Sequence, residues 1–120
     1  RRLKKNIVRG GIGLDFINDL HPSIFEFRAP SEMDKDFSEY DPDNHKPRAE
    51  GRDCGFIAQE VKEVVDKYNA DYFKIWSQFD NSDVQGLAMG ALVIPLTKAV
   101  QELSAKLDTM QTEINNLKAE

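Results

Sequence analysis

One cysteine, one tryptophan and two histidines are all that the 120-residue chain holds of those residue types. Cys54 by itself cannot form a disulfide within the chain. One cysteine and two histidines, His21 and His45, fall short of a zinc site, and nothing else in the sequence requires a cofactor. A carboxylate metal site stays open on composition, but the Asp41-x-Asp43-x-His45 run lacks the glycine and the terminal glutamate of a calcium loop. Long apolar runs are missing as well. No window approaches 18 consecutive apolar residues, so no membrane span is expected, and the first residues lack the pattern of a signal peptide. Positive charge is in short supply: 16 Lys and Arg face 21 Asp and Glu, for a net charge of -5. A duplex nucleic-acid partner needs a broad positive face and is not expected.

Hydrophobic residues make up 40% of the chain, enough for one small domain with an extension. Basic residues cluster at the start, where RRLKKNIVR carries Arg1, Arg2, Lys4, Lys5 and Arg9. Gly10, Gly11 and Gly13 follow and mark a turn or a close backbone approach. They match neither a dinucleotide fingerprint nor a Walker sequence. Leu14, Ile17 and Leu20 share one face of a two-turn helix that Pro22 ends. Phe25 and Phe27 alternate with Glu26 and Arg28, which predicts a half-buried strand over 23–28. Residues 29–52 hold Pro30, Pro42 and Pro47 among scattered carboxylates. They form a long surface excursion, built of turns or of a hairpin carrying Phe37 and Tyr40.

Residues 54–57 read as a short buried strand or strand end, with Cys54 a small buried residue. Gly55 there allows a close backbone approach, and Phe56 and Ile57 point inward. Ala58–Tyr68 reads as a helix with Val61, Val64 and Val65 on its buried face, and Glu63 and Lys67 are spaced for an ion pair. Residues 71–76, DYFKIW, suit a strand. Asp80–Asp83 suits a turn able to cap the next element. Phe25, Phe27, Phe56, Tyr72, Phe73, Trp76 and Phe79 supply most of the expected core.

The last third carries the clearest pattern. Met89, Val93, Leu96, Val100, Leu103, Leu107, Met110, Ile114 and Leu117 are separated alternately by four and three residues. That is a coiled-coil seam, with Val93, Val100, Leu107 and Ile114 at a and the others at d. Glu113 at g and the following Lys118 at e can pair between neighbouring helices. Pro95 either kinks the helix or sits in its first turn. The mixed a residues do not separate two strands from three; the lack of uniform β-branched a residues with Leu at d favours three. The expected fold class is a small α+β domain with short strands and helices, followed by a long C-terminal helix that forms a trimeric coiled coil. The expected division is a globular region at 1–84 and a helical trimerisation segment at 85–120.

Four segments in order resemble one known family. They are Arg2-Leu3-Lys4-Lys5-Asn6-Ile7; Gly13-Leu14-Asp15-Phe16-Ile17 with Leu20-His21-Pro22 and Phe25-Glu26-Phe27; Gly55-Phe56-Ile57-Ala58-Gln59-Glu60-Val61; and Leu96-Thr97-Lys98-Ala99-Val100-Gln101-Glu102-Leu103. Together they resemble the intramolecular chaperone domain at the end of phage tail spikes, tail fibres and neck appendages, the peptidase S74 family. His21 stands where the family usually has arginine. The resemblance implies a homotrimer that aligns an upstream β-rich fibre shaft of the same polypeptide, in the infected host cytoplasm, and then releases itself. The implied chemistry is a serine–lysine cut. The lysine maps to Lys4, and the serine would lie two positions before Arg1. Lys4 would be the general base, and Asn6 would orient groups or donate to the oxyanion. Basic neighbours would help keep the Lys4 amine neutral. The alternative is a permanent trimerisation cap that never cuts.

Overall fold

The computed structural model describes residues 3–79 and 82–119. Its regular elements are α1 (Leu14–Asp19), β1 (Ser23–Glu26), β2 (Arg52–Gly55), α2 (Ala58–Lys67), β3 (Trp76–Gln78), β4 (Gln85–Leu87) and α3 (Val93–Ala119). Short 3-10 turns occupy Pro30–Glu32 and Met89–Leu92. This is a small mixed α/β domain with a long C-terminal helix.

β1 and β2 pair antiparallel with Ser23 opposite Gly55 and Glu26 opposite Arg52. The excursion over residues 27–51 is therefore the connection of one wide hairpin. It is built of turns and has no inner hairpin. Ser31 N–H donates to the Asn44 carbonyl at 2.9 Å, and Asp41 N–H donates to the Pro30 carbonyl at 3.3 Å, which closes the loop on itself. Asp41 and His45 serve that loop. Asp41 accepts the Asp43 N–H, and the His45 ring lies 2.9 Å from the Ser31 hydroxyl. No cluster able to hold a metal occurs among the described residues. The second ribbon pairs Trp76 with Leu87 and Gln78 with Gln85. Of its turn, Asp80 lies outside the described residues. Asp83 caps no helix; it accepts the Ser38 N–H and hydroxyl and ties the long loop to this ribbon.

α2 follows the sequence closely. Val61, Val64 and Val65 are its buried residues, and Glu60 and Lys67 sit at the ends that the helix dipole favours for their charges. It ends within a residue of the expected Tyr68, which is its C-cap. Asn69 takes φ +51, Asn69 N–H donates to the Asp66 carbonyl at 3.1 Å, and Ala70 N–H donates to the Val65 carbonyl at 3.0 Å. This is a Schellman end with asparagine in the left-handed position. It turns Ala70, fully buried, back under the helix.

The core gathers Phe16 from α1 and Leu20 at its C-cap, the three valines of α2, then Ala70, Ile75 and Leu92. It differs from the aromatic core expected above. Tyr72 and Phe79 are each 58% exposed, and Phe25, Phe27, Phe56, Phe73 and Trp76 are half-buried. The physical reason is size: a two-stranded ribbon has too little area to bury its aromatics on its own. Three helices bury aliphatic stripes instead. Residues 71–75 form turns, and the strand begins only at Trp76. Ile75 is driven into the core at 1% exposure, and its carbonyl accepts the Ala88 N–H at 2.7 Å.

Cys54 is exposed rather than buried, because β1 alternates and Cys54 shares a face with its partner Ile24, which is on the outward side and 65% exposed. Gly55 is not required by space either. A Cβ there would meet the Phe25 ring at 3.6 Å, an ordinary contact.

α1 and α2 are joined by a polar staple rather than by a Glu63–Lys67 pair. Lys67 Nζ donates to Asp19 Oδ2 at 2.7 Å, and the Tyr68 hydroxyl donates to the same oxygen at 2.5 Å. Lys62 pairs with Asp66 instead. The bond from Lys67, then that from Tyr68, holds the Asp19 carboxyl below its ordinary range. The bond to Asp19 raises Lys67 and Tyr68 above theirs. A depressed Asp19 contributes stability above its unfolded value near pH 3.9, and that stability is lost as pH falls through the folded value. The raised Lys67 and Tyr68 contribute below about pH 10, and their part is lost as pH rises further. Asp19→Asn should therefore flatten the acid limb of the stability profile below about pH 4, measured by thermal melts between pH 2 and 7. An unchanged acid limb would remove the staple from the account.

Candidate functional site

Residues 3–12 run without helix or strand into α1. Lys4 and Asn6, the two residues picked out for chemistry, are both exposed on this stretch. Lys4 makes no ion pair among the described residues. Arg1 and Arg2, two of its basic neighbours, lie outside them; Lys5 and Arg9 are exposed beside it. Asn6 takes φ +55, the left-handed conformation that asparagine tolerates better than most residues. Gly10 and Gly11 follow at φ +118 and +110, where a side chain would be strained. The stretch thus turns at Asn6 and again at Gly10–Gly11 before it reaches Gly13.

Gly13 is where the stretch is gripped. A Cβ at Gly13 would lie 2.0 Å from Glu102 Oε1 and 2.7 Å from Lys98 Cγ. A side chain there would have to displace the Glu102 carboxylate and the Lys98 stem. The same Glu102 oxygen accepts the Leu14 N–H at 3.3 Å, and it lies 3.6 Å from Lys98 Nζ. Glu102 thus satisfies one of the free donors at the start of α1 from 88 residues away. Around this contact Gly11–Phe16, Tyr68, Tyr72 and Glu102 line a polar cleft of about 350 Å³. The sequence shows Gly13 but not its partner.

The Gly55–Gln59 part of the Gly55–Val61 run lines a different cleft. Gly55 ends β2, Phe56 and Ile57 are half-buried, and Ala58 opens α2. With Phe25, Phe27, Leu87 and Met89 these residues wall an apolar cleft of about 450 Å³. Gln59, exposed, stands at its rim and Glu60 is half-buried beside it. The walls come from three separated stretches of chain, which is why a linear reading finds the run but not the cleft. Lys4 does not line it.

α3 carries the remaining feature. Pro95 is its third residue, so the proline sits in the first turn and no kink is needed. Leu92, Pro95 and Ala99 are buried, on the side where α3 packs against α1. The seam lies beside this face and is open. Met89 is 44% exposed, Val100 63%, Leu107 65% and Leu117 70%. Every residue from Leu103 to Ala119 is exposed.

A model of the Peptidase_S74 family, described as the chaperone of endosialidase, matches residues 1–69. The chain belongs to this family. That match covers the basic start, α1, the β1–β2 hairpin and α2. No curated protein and no solved structure matches the chain. Membership makes this an intramolecular chaperone domain of the phage-fibre kind, of a family whose domains process themselves. No helix among the described residues is long and apolar enough to cross a membrane.

Proposed function

We propose that the chain trimerises through α3, aligns an upstream fibre shaft of the same polypeptide, and then releases itself by a serine–lysine cut. The observation that carries assembly is the apolar stripe of α3: eight residues from Val93 to Leu117 at alternating spacings of three and four, each at least 44% exposed in a single chain, with Met89 just ahead of them in the 3-10 turn. Most of a helix's stability in a protein comes from packing its apolar face, and beyond Glu102 every residue of α3 through Ala119 is exposed in a single chain. Three copies that bury their seams against one another remove the apolar surface and stabilise the helix together. In this reading 1–84 is the globular chaperone region and 85–120 the trimerisation segment, save that β4 (Gln85–Leu87) pairs with β3 and Leu92 packs in the core, so both belong with the globular region and the helix begins at Val93. Sedimentation equilibrium of the chain should give three times 13.7 kDa. A monomer at micromolar concentration would contradict the reading.

The release step would use Lys4 as general base toward a serine two positions before Arg1. A neutral amine takes the hydroxyl proton as the oxygen attacks the preceding carbonyl. The bond between that carbonyl and the serine nitrogen breaks, and water then hydrolyses the ester. Asn6, turned in the left-handed conformation two residues on, would orient the segment or donate to the oxyanion. In this reading the upstream chain or a neighbouring copy completes the site around Lys4, which is exposed in one chain. The second reading, a permanent cap, differs only in whether the full-length protein is cut.

A further inference from the structure

α3 has two adjacent working faces over residues 93–103. One holds Pro95, Ala99 and Glu102 against α1, and the next holds Val93, Leu96, Val100 and Leu103 in the open stripe. The two stripes have the same spacing and are offset by one residue, about 100° around the helix. Assembly of the seam therefore fixes the face that touches α1. Glu102 is the polar contact on that face. It reaches the Leu14 N–H at 3.3 Å and fills the space that a Cβ of Gly13 would take. Lys98, one turn earlier, lies 3.6 Å from the same oxygen and steadies it. Lys4 is nine residues upstream of Gly13, on a stretch whose turns at Asn6, Gly10 and Gly11 are set by unusual backbone angles.

We propose that Glu102 is a positioning residue that couples assembly of the α3 seam to the placement of residues 3–12, and thereby licenses release. The inference rests on the self-release reading above. It assigns Glu102 no proton transfer. Its carboxylate holds the start of α1 to the trimer axis, so the upstream stretch leaves α1 in one direction in all three copies. Geometry controls a cut of this kind, and a misplacement of about 1 Å costs about a hundredfold in rate.

The test uses the full-length fibre chain as wild type, Glu102→Ala, Glu102→Gln and Lys98→Ala, with three readouts. These are the rate of release by intact mass, the assembly state by sedimentation, and hydrogen exchange over residues 6–14. Glu102→Ala should still form trimers, should exchange faster over residues 6–14, and should release its domain at least about tenfold more slowly. Glu102→Gln keeps an oxygen for the Leu14 N–H and should release within about threefold of wild type. Lys98→Ala should fall between them. A merely structural role would lower the melting temperature without separating Ala from Gln in rate. Trimers of Glu102→Ala that release at the wild-type rate would overturn the proposal. If wild type itself is never cut, the release reading fails, and the coupling to release fails with it. Exchange over residues 6–14 then shows whether Glu102 still places the segment, so the two failures are told apart.

Discussion

Leu107→Asp should convert the assembled domain into monomers. Leu107 is an a residue of the seam, 65% exposed in a single chain and distant from the core. The substitution therefore leaves the globular region untouched. In a trimer the leucines of three copies meet on the axis. Each loses about 2 kcal/mol of burial, and each aspartate adds a desolvation and repulsion cost of several kcal/mol more. Over three copies the assembly weakens by at least about 10 kcal/mol, about seven powers of ten in the association constant. Thr109→Asp, a charge of the same size on the exposed outer face, should leave the trimer intact. Sedimentation equilibrium separates the two. Helix content should fall with assembly in Leu107→Asp, because the stretch beyond Glu102 has no intramolecular partner. If Leu107→Asp still sediments as a trimer, the seam is not the assembly surface.

The second large effect is expected in the core. Phe16 is 1% exposed and packs edge-on against Tyr68 at 5.9 Å and Phe73 at 5.7 Å. Phe16→Ala removes a buried ring at the meeting point of α1 and α2 and leaves a cavity, at a cost of about 4 kcal/mol. A small domain holds only about 5–15 kcal/mol in all, so the melting temperature should drop by about 20 °C at fixed protomer concentration. Phe79→Ala, at a residue 58% exposed, should cost less than about 1 kcal/mol. Equal losses would mean that the aromatic ribbons, and not the helices, hold the core.

These two residues also show where a linear reading succeeds. The long helix that contains Leu107 was legible because its period is local: the alternating apolar positions define it without knowledge of the rest of the fold. α2 was legible for the same reason, down to its three buried valines. Phe16 was assigned to the right helix but not to the core, because α1 is short and its inward face depends on what packs over it. The stretch 71–76 misled because Tyr72, Phe73, Ile75 and Trp76 have strand composition. Their conformation is set instead by the Schellman end of α2, which drives Ile75 inward before a three-residue strand can begin. Cys54 misled because burial of a ribbon face depends on which side the helices cover.

The candidate site divides in the same way. Lys4 and Asn6 were chosen from a family pattern in consecutive residues. Their surroundings do not follow from that pattern, because the groups that complete such a site arrive from elsewhere in the chain or from another copy. Gly13 signalled a close approach, and the structure supplies the partner, Glu102, 89 positions away in the sequence. The apolar cleft around Phe56 and Ile57 is assembled from three stretches and has no linear signature.

The central claim is that this domain folds its own fibre and then cuts itself free through Lys4. The most direct measurement is the intact mass of the full-length fibre protein after expression, wild type beside Lys4→Ala, with assembly checked in parallel. The account predicts a shaft and a fragment near 13.7 kDa from wild type. It predicts trimers of Lys4→Ala that stay whole, their cutting slowed about a hundredfold or more by loss of the base. Equal cutting of both at the same bond would show that Lys4 is not the base, and intact trimers of both would show a permanent cap.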